Sequence, residues 1–243
     1  DILGYEEKLK WTCEHIQLGE GELWKSLKEF PSIQFGVEQA VISLRSDDPF
    51  VLFPSNFVKN EDPISINGLI WMGDEIFMHE QIETKLQHGF TCIKMKIGAI
   101  DFEQELAILQ SIRNSYTKEQ IELRVDANGA FSPKEAMEKL KVLASFDIHS
   151  IEQPIRQGNI AAMQSLCAST PLPIALDEEL LGVLEFKEKQ ELLKQIQPQY
   201  IILKPSLVGG FKGSKEWIAI AESLDINWWV TSALESNVGL NAI

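Results

Sequence analysis

Seven short β-rich runs recur at near-constant spacing along most of this chain. They are SINGLI (65–70), CIKMKI (92–97), ELRVDA (122–127), IHSIEQ (148–153), PIALDE (173–178), YIILKP (200–205) and INWWVT (226–231), and successive starts lie 25 to 30 residues apart. Amphipathic segments fill the intervals, among them 101–115 and 132–146. The latter opens with Ser132 and Pro133 and places Glu135 three residues past the serine, the pattern of a capped helix start. Strand–helix units of this period imply parallel strands joined by right-handed crossovers.

Two architectures answer to that pattern, an open doubly wound sheet and a barrel. The chain has no GxGxxG and no GxxxxGK[ST] turn, and seven near-equal units favour the barrel. The expected fold class is therefore α/β, a modified TIM barrel of the (β/α)7β kind with an N-terminal α+β capping domain. It is expected to be incomplete at both ends, with residues 1–62 as the remainder of the capping domain and its connection. Residues 63–243 would be the barrel, its eighth strand missing. The first ~60 residues depart from the repeat and read as helices over 5–15, 22–30 and 31–45. The apolar positions of the third are Phe35, Val37, Ala40, Val41 and Leu44.

Buried parallel strands are ordinarily close to pure apolar. Here they carry Lys94 and Lys96, Arg124 and Asp126, Glu152, Asp177 and Lys204 near their C-terminal ends, the end where barrels place active sites. Alternation puts Lys94 and Lys96 on one face, and Arg124, Asp126 and Asn128 on one face. Asp126, Glu152 and Asp177 arrive from three successive strands, and an all-oxygen set suits a hard cation, Mg²⁺ first and Mn²⁺ second. The competing reading is that these carboxylates only pair with the nearby lysines and arginine. Lys94 and Lys96 lie about 7 Å apart along a strand, so at a dielectric of ~20 they repel by about 2.4 kcal/mol. That repulsion would bring a lysine down to about 8.6, within reach of work as a base. A lysine base beside a divalent cation suits proton abstraction next to a carboxylate, an arrangement already described for enolase-superfamily sites.

KMK (94–96), RVDAN (124–128), IEQP (151–154), ALDE (175–178) and ILKP (201–204), in this order on successive strands, resemble the muconate-cycloisomerase-like branch of the enolase superfamily. Within it, IEQPIRQGN, LKPSLVGGFKGSKEWIAIA and TSALESNVGLNAI make the chain most similar to the o-succinylbenzoate synthases of menaquinone biosynthesis. The resemblance implies Asp126, Glu152 and Asp177 as Mg²⁺ ligands, Lys96 as acid/base, Lys94 as its electrostatic partner and Lys204 as the lysine across the site. It implies a hydro-lyase: Lys96 takes a proton from 2-succinyl-6-hydroxy-2,4-cyclohexadiene-1-carboxylate and returns it to the departing hydroxyl, giving 2-succinylbenzoate and water. The alternatives on the same scaffold are an N-acylamino acid racemase or dipeptide epimerase, in which Lys204 exchanges the second proton, and a barrel that binds metal without turnover.

Ser232, Glu235 and Ser236 read either as a substrate-carboxylate site or as a helix cap with Ser232 capping. Arg124 contacts substrate or neutralises acids, and Asn128 orients a ligand or a metal-bound water. Acids outnumber bases 36 to 22, a net charge of −14, which argues against nucleic acid and anionic membrane surfaces as partners. No apolar run reaches the ~20 residues of a membrane span. Three widely spaced cysteines suit a reducing cytoplasm. The expected partner is a small carboxylate substrate, with a homo-oligomer left open.

Overall fold

In the computed structural model, which describes residues 2–243 (Glu75 by its backbone alone), all seven runs form strands. Helices α1 Ile2–Glu14, α2 Glu20–Ser26 and α3 Pro31–Arg45 come first. There follow β1 Gly68–Ile70, α4 Glu75–Gln87, β2 Cys92–Lys96, α5 Phe102–Ser115, β3 Glu122–Asp126, α6 Ala136–Ala144, β4 Ser150–Glu152 and α7 Ile160–Ser169. The chain continues through β5 Ile174–Leu176, α8 Phe186–Ile196, β6 Tyr200–Leu203, α9 Gly210–Ser223, β7 Asn227–Val230 and α10 Asn237–Ala242. The strands lie in the order β1-β2-β3-β4-β5-β6-β7, and the pairings from β1 to β6 are parallel. An order that never doubles back belongs to a (β/α) barrel rather than to a doubly wound sheet. Among the described residues no helix is long and apolar enough to cross a membrane.

By its internal contacts the chain forms two compact units, 65–179 with 193–201, and 2–64 with 180–192 and 202–243. In the first, the strand alternation is plain in β2. Ile93, Met95 and Ile97 are at most 1% exposed, while Cys92, Lys94 and Lys96 face the other way and are only partly covered. The register puts Lys96 opposite Asp126, and Asp126 opposite Glu152, so these three ionisable groups share one rung.

The loop after Lys96 is held by a carboxylate. Glu105, on the first turn of α5 and 1% exposed, accepts a hydrogen bond from the Gly98 N–H at 2.6 Å, with the Ala99 and Ile100 N–H groups also turned toward it. Gly98 has φ +92°, and an added Cβ would run into Ala130, so only glycine serves there. Burial pushes the Glu105 carboxyl above its ordinary value despite these donors. Glu105→Ala is expected to cost about 1–2 kcal/mol, because it removes the shared acceptor of the Gly98, Ala99 and Ile100 N–H groups. A folded-state value above the unfolded one means that the group's contribution is full at low pH and is lost as pH rises through the raised value. Urea titrations at about pH 4 and about pH 8 should therefore show a smaller gap between parent and variant at the higher pH.

In the second unit, α3 departs from its expected face. The buried positions are Ile33, Gln34, Phe35, Glu38 and Gln39, whereas Leu44 is 86% exposed and Ala40 also faces solvent. The reason is polar. Glu38 accepts from the N–H groups of Phe211 and Lys212 (the latter at 3.1 Å) in the first turn of α9, supplying a cap that Gly209 and Gly210 cannot. Phe35 packs edge-on against Phe211 beside it, with ring centroids 5.1 Å apart. Trp217 of α9 is fully buried, and the Lys189 ammonium lies 5.5 Å from its ring centroid while binding Glu216 at 2.8 Å.

Candidate active site

Strand ends in the first unit bring together most of the groups singled out from sequence. Asp126 closes β3 and Glu152 closes β4, while Asp177 follows β5 by one residue; all three are at most 2% exposed. Lys94 forms ion pairs with Glu152 and, at 3.0 Å, with Asp126. Lys96 Nζ lies 2.6 Å from Asp126 Oδ2 and 2.9 Å from Asn128 Oδ1. Asn128 is left-handed (φ 43°), its N–H donates to Asp126 Oδ1 at 3.0 Å, and its Nδ2 donates to Glu178 Oε1 at 2.9 Å. The chain Lys96–Asn128–Glu178 fixes which end of the Asn128 amide faces the lysine.

Burial pushes the Glu152 carboxyl well above its ordinary value; Lys94 opposes this, and the Asp126 and Asp177 carboxylates add to it. Asp126 goes the other way: its burial is outweighed by Lys94, a hydrogen bond with Glu152 and Lys96. Burial alone would lower the Lys94 ammonium, but Glu152 and Asp126 outweigh it and hold Lys94 above the usual lysine value. The lowering expected from Lys94–Lys96 repulsion is thus corrected for Lys94. Two carboxylates stand within bonding distance of it, and opposite charges at contact dominate a like charge farther off.

Whether these residues suit a divalent cation can be judged from their oxygens. Among the described residues no three acidic, histidine or cysteine side chains are gathered as a ready cage, and the Lys94 ammonium pairs with both Asp126 and Glu152. That ammonium is a cation placed where two buried carboxylates converge. Among the described residues, Glu152 Oε1 is buried with no hydrogen-bond partner, as is Glu178 Oε2. Orphaned carboxylate oxygens beside an all-oxygen donor set fit a hard cation.

Residues that sequence reasoning missed lie just behind. Gln153 is fully buried and left-handed (φ 38°), a conformation that costs a non-glycine residue about 1–3 kcal/mol. Its Nε2 donates to Glu179 Oε2 and to the Ile155 carbonyl, both at 3.0 Å. Its Oε1 accepts from the N–H groups of Asp177 and Glu179, both at 3.3 Å. A glutamine directly after a buried acid at a strand end was the available signal. Glu178, adjacent to Asp177 in ALDE, was equally visible.

The contacts of the remaining sequence candidates are local ones. Arg124 donates to Glu122 Oε1 at 2.7 Å, at the start of its own strand. In the second unit, Lys204 follows β6 by one residue and its carbonyl accepts from Leu207 N–H at 2.8 Å. Glu235 accepts from Ser206 Oγ at 2.6 Å and from Ala233 N–H at 2.7 Å. The helix cap expected at Ser232 falls instead to Ser236, whose Oγ accepts from Gly239 N–H at the start of α10. Glu235 is bent back onto Ala233 and Ser206, so the helix cannot begin until after it.

The chain is similar in sequence and fold to known proteins. The chain is 54% identical over 214 residues to an o-succinylbenzoate synthase of Desulfotalea psychrophila, a stretch covering 88% of this chain and 58% of that protein. The crystal structure of MenC from the same organism superposes with a TM-score of 0.83 at 45% identity, covering 98% of this chain and 69% of that one. The L-Ala-D/L-Glu epimerase of Bacillus subtilis is 29% identical over 68% of this chain and 44% of its own. The chain thus spans 58% or less of the length of these curated relatives. Residues 78–243 match the family model described as enolase C-terminal domain-like. With this match, the sequential parallel strands and the carboxylates at their ends, the chain belongs to the enolase C-terminal domain-like family.

Proposed function

We propose that this protein dehydrates 2-succinyl-6-hydroxy-2,4-cyclohexadiene-1-carboxylate to 2-succinylbenzoate, a step of menaquinone biosynthesis in the cytoplasm. The observation that carries the reading is the pairing of Lys96 with Asp126 and Asn128, beside the buried carboxylates of Glu152 and Asp177. The 54% identity to a protein named for this activity supports it.

Asp126, Glu152 and Asp177 would hold Mg²⁺, with Mn²⁺ as the substitute. When bound, such a cation stabilises the negative charge that develops on a substrate carboxylate as the neighbouring proton leaves. Lys96, as the free amine, takes the proton alpha to the ring carboxylate. The C–O bond to the ring hydroxyl then breaks, and the Lys96 ammonium returns the proton so that the group leaves as water. Asn128 keeps the Lys96 Nζ aimed through its Oδ1. Lys94 acts as the electrostatic partner of Lys96. The family pattern gives Lys204 the part of a cation that stabilises the intermediate without exchanging a proton.

The test uses full-length protein with Mg²⁺ and the cyclohexadiene substrate, following the aromatic product by ultraviolet absorbance. Turnover that EDTA abolishes is the expected result. Folded, metal-binding protein with no turnover would overturn the dehydratase. The epimerase-like reading would then predict α-proton exchange on N-succinylamino acids or dipeptides in D₂O.

A further inference from the structure

Gln153 and Glu179 form a buried joint whose bonds reach both acid-bearing strand ends. Glu152 immediately precedes Gln153, and the Asp177 N–H donates to Gln153 Oε1 at 3.3 Å. Glu179, 6% exposed, receives Gln153 Nε2 on one oxygen at 3.0 Å and the Gly158 N–H on the other at 2.8 Å. The Gln153 backbone adds two more ties. Its N–H donates to the Ala175 carbonyl at 2.9 Å, and its carbonyl accepts from Gly129 N–H at 2.7 Å, three residues past Asp126. Every polar atom of the Gln153 side chain is used, and the left-handed backbone makes that orientation possible.

We propose that Gln153 and Glu179 are positioning residues for divalent-cation binding, setting the separation of Glu152 and Asp177 through the Gln153 amide. This rests on the reading of Asp126, Glu152 and Asp177 as the cation's ligands. Neither residue touches the cation. The amide works because it offers an acceptor to two N–H groups and a donor to a carboxylate and a carbonyl. Neither a carboxylate nor a hydrocarbon can do both.

The chemistry sets the test. In Gln153→Glu two carboxylates oppose each other, and in Glu179→Gln two amide NH₂ groups meet if the Gly158 bond is kept. Combining the two restores an N–H···O contact between the side chains. Mn²⁺ affinity of the full-length protein is measured by calorimetry, with circular dichroism as the check on folding. Each single variant is expected to bind Mn²⁺ about tenfold or more weakly, the usual scale for residues that orient ligands from behind. Adding Glu179→Gln to Gln153→Glu is expected to recover several-fold of that loss, although Glu179→Gln alone weakens binding.

A purely electrostatic influence has the opposite sign for Gln153→Glu, since an added negative charge near the cation strengthens binding. A merely structural role lowers the melting temperature and leaves the affinity of the folded protein unchanged. Either result would overturn the proposal. If Gln153→Glu fails to fold, the milder Glu179→Gln decides, and parental affinity in that variant is equally fatal. Parent protein that fails to bind Mn²⁺, or binds it as well after Asp126→Asn, would sink the ligand assignment itself. Binding lost only in Asp126→Asn would sink the positioning role alone.

Discussion

Lys96→Ala is expected to lower kcat for the dehydration by about a thousandfold or more, the scale on which a positioned acid/base contributes when one group serves both proton transfers. The fold should survive the change. Asp126 keeps Lys94 at 3.0 Å, so this buried carboxylate is not left without a cation. Steady-state kinetics of the variant beside its circular dichroism spectrum make the check. Normal turnover in folded Lys96→Ala would remove Lys96 from the reaction. Lys204→Ala separates the two chemistries on this scaffold. A dehydratase retains proton abstraction at Lys96 and loses only the stabilising charge, whereas a racemase needs both lysines to move protons.

Asp126→Ala is expected to have the largest effect on stability, about 3–5 kcal/mol in the presence of EDTA, the range for removing one partner of a buried ion pair. Asp126 is fully buried and is the shared partner of Lys94 and Lys96, whose side chains are 13% and 14% exposed. Without it Lys94 retains Glu152, but Lys96 retains only the neutral Asn128 oxygen. Urea unfolding in EDTA measures the loss directly. Repeating it with Mg²⁺ adds a second reading. A cation that binds only the folded state raises the parent's stability with concentration, and the variant should lose that rise. A change below about 1 kcal/mol would mean that the three charges are solvated rather than mutually dependent.

The strands were legible because their signal is periodic. Ile93, Met95 and Ile97 alternate with Cys92, Lys94 and Lys96, and the structure puts the first set in the core and leaves the second partly covered. Lysines and acids at strand ends stood out because strands of this kind seldom tolerate them. What stayed hidden were the groups that answer to backbone. Glu105 and Glu38 are satisfied largely by main-chain N–H groups, which every residue but proline carries and which leave no trace in the amino-acid sequence. For the same reason α3 showed its apolar positions and concealed that Glu38, not Leu44, faces inward. Gln153 was readable as part of IEQP, but its role depends on Glu179, 26 residues away. The direction of the Lys94 shift is not legible from spacing along one strand, because the carboxylates that set it come from the next two.

The Glu38 cap bears on how sequences of this kind can be recombined. The first turn of α9 takes its acceptor from a residue more than 170 positions earlier in the chain. A chimera that joins the leading helices of one relative to the later helices of another therefore inherits a matching problem invisible at the junction. The donor of the leading segment must bring a glutamate at the position of Glu38, and the recipient must keep glycine at the position of Gly210. A Cβ at Gly210 would collide with the Glu38 carboxylate. Swapping the two segments as a set preserves the fit, while swapping either alone exchanges a capped helix for a buried charge against methyl.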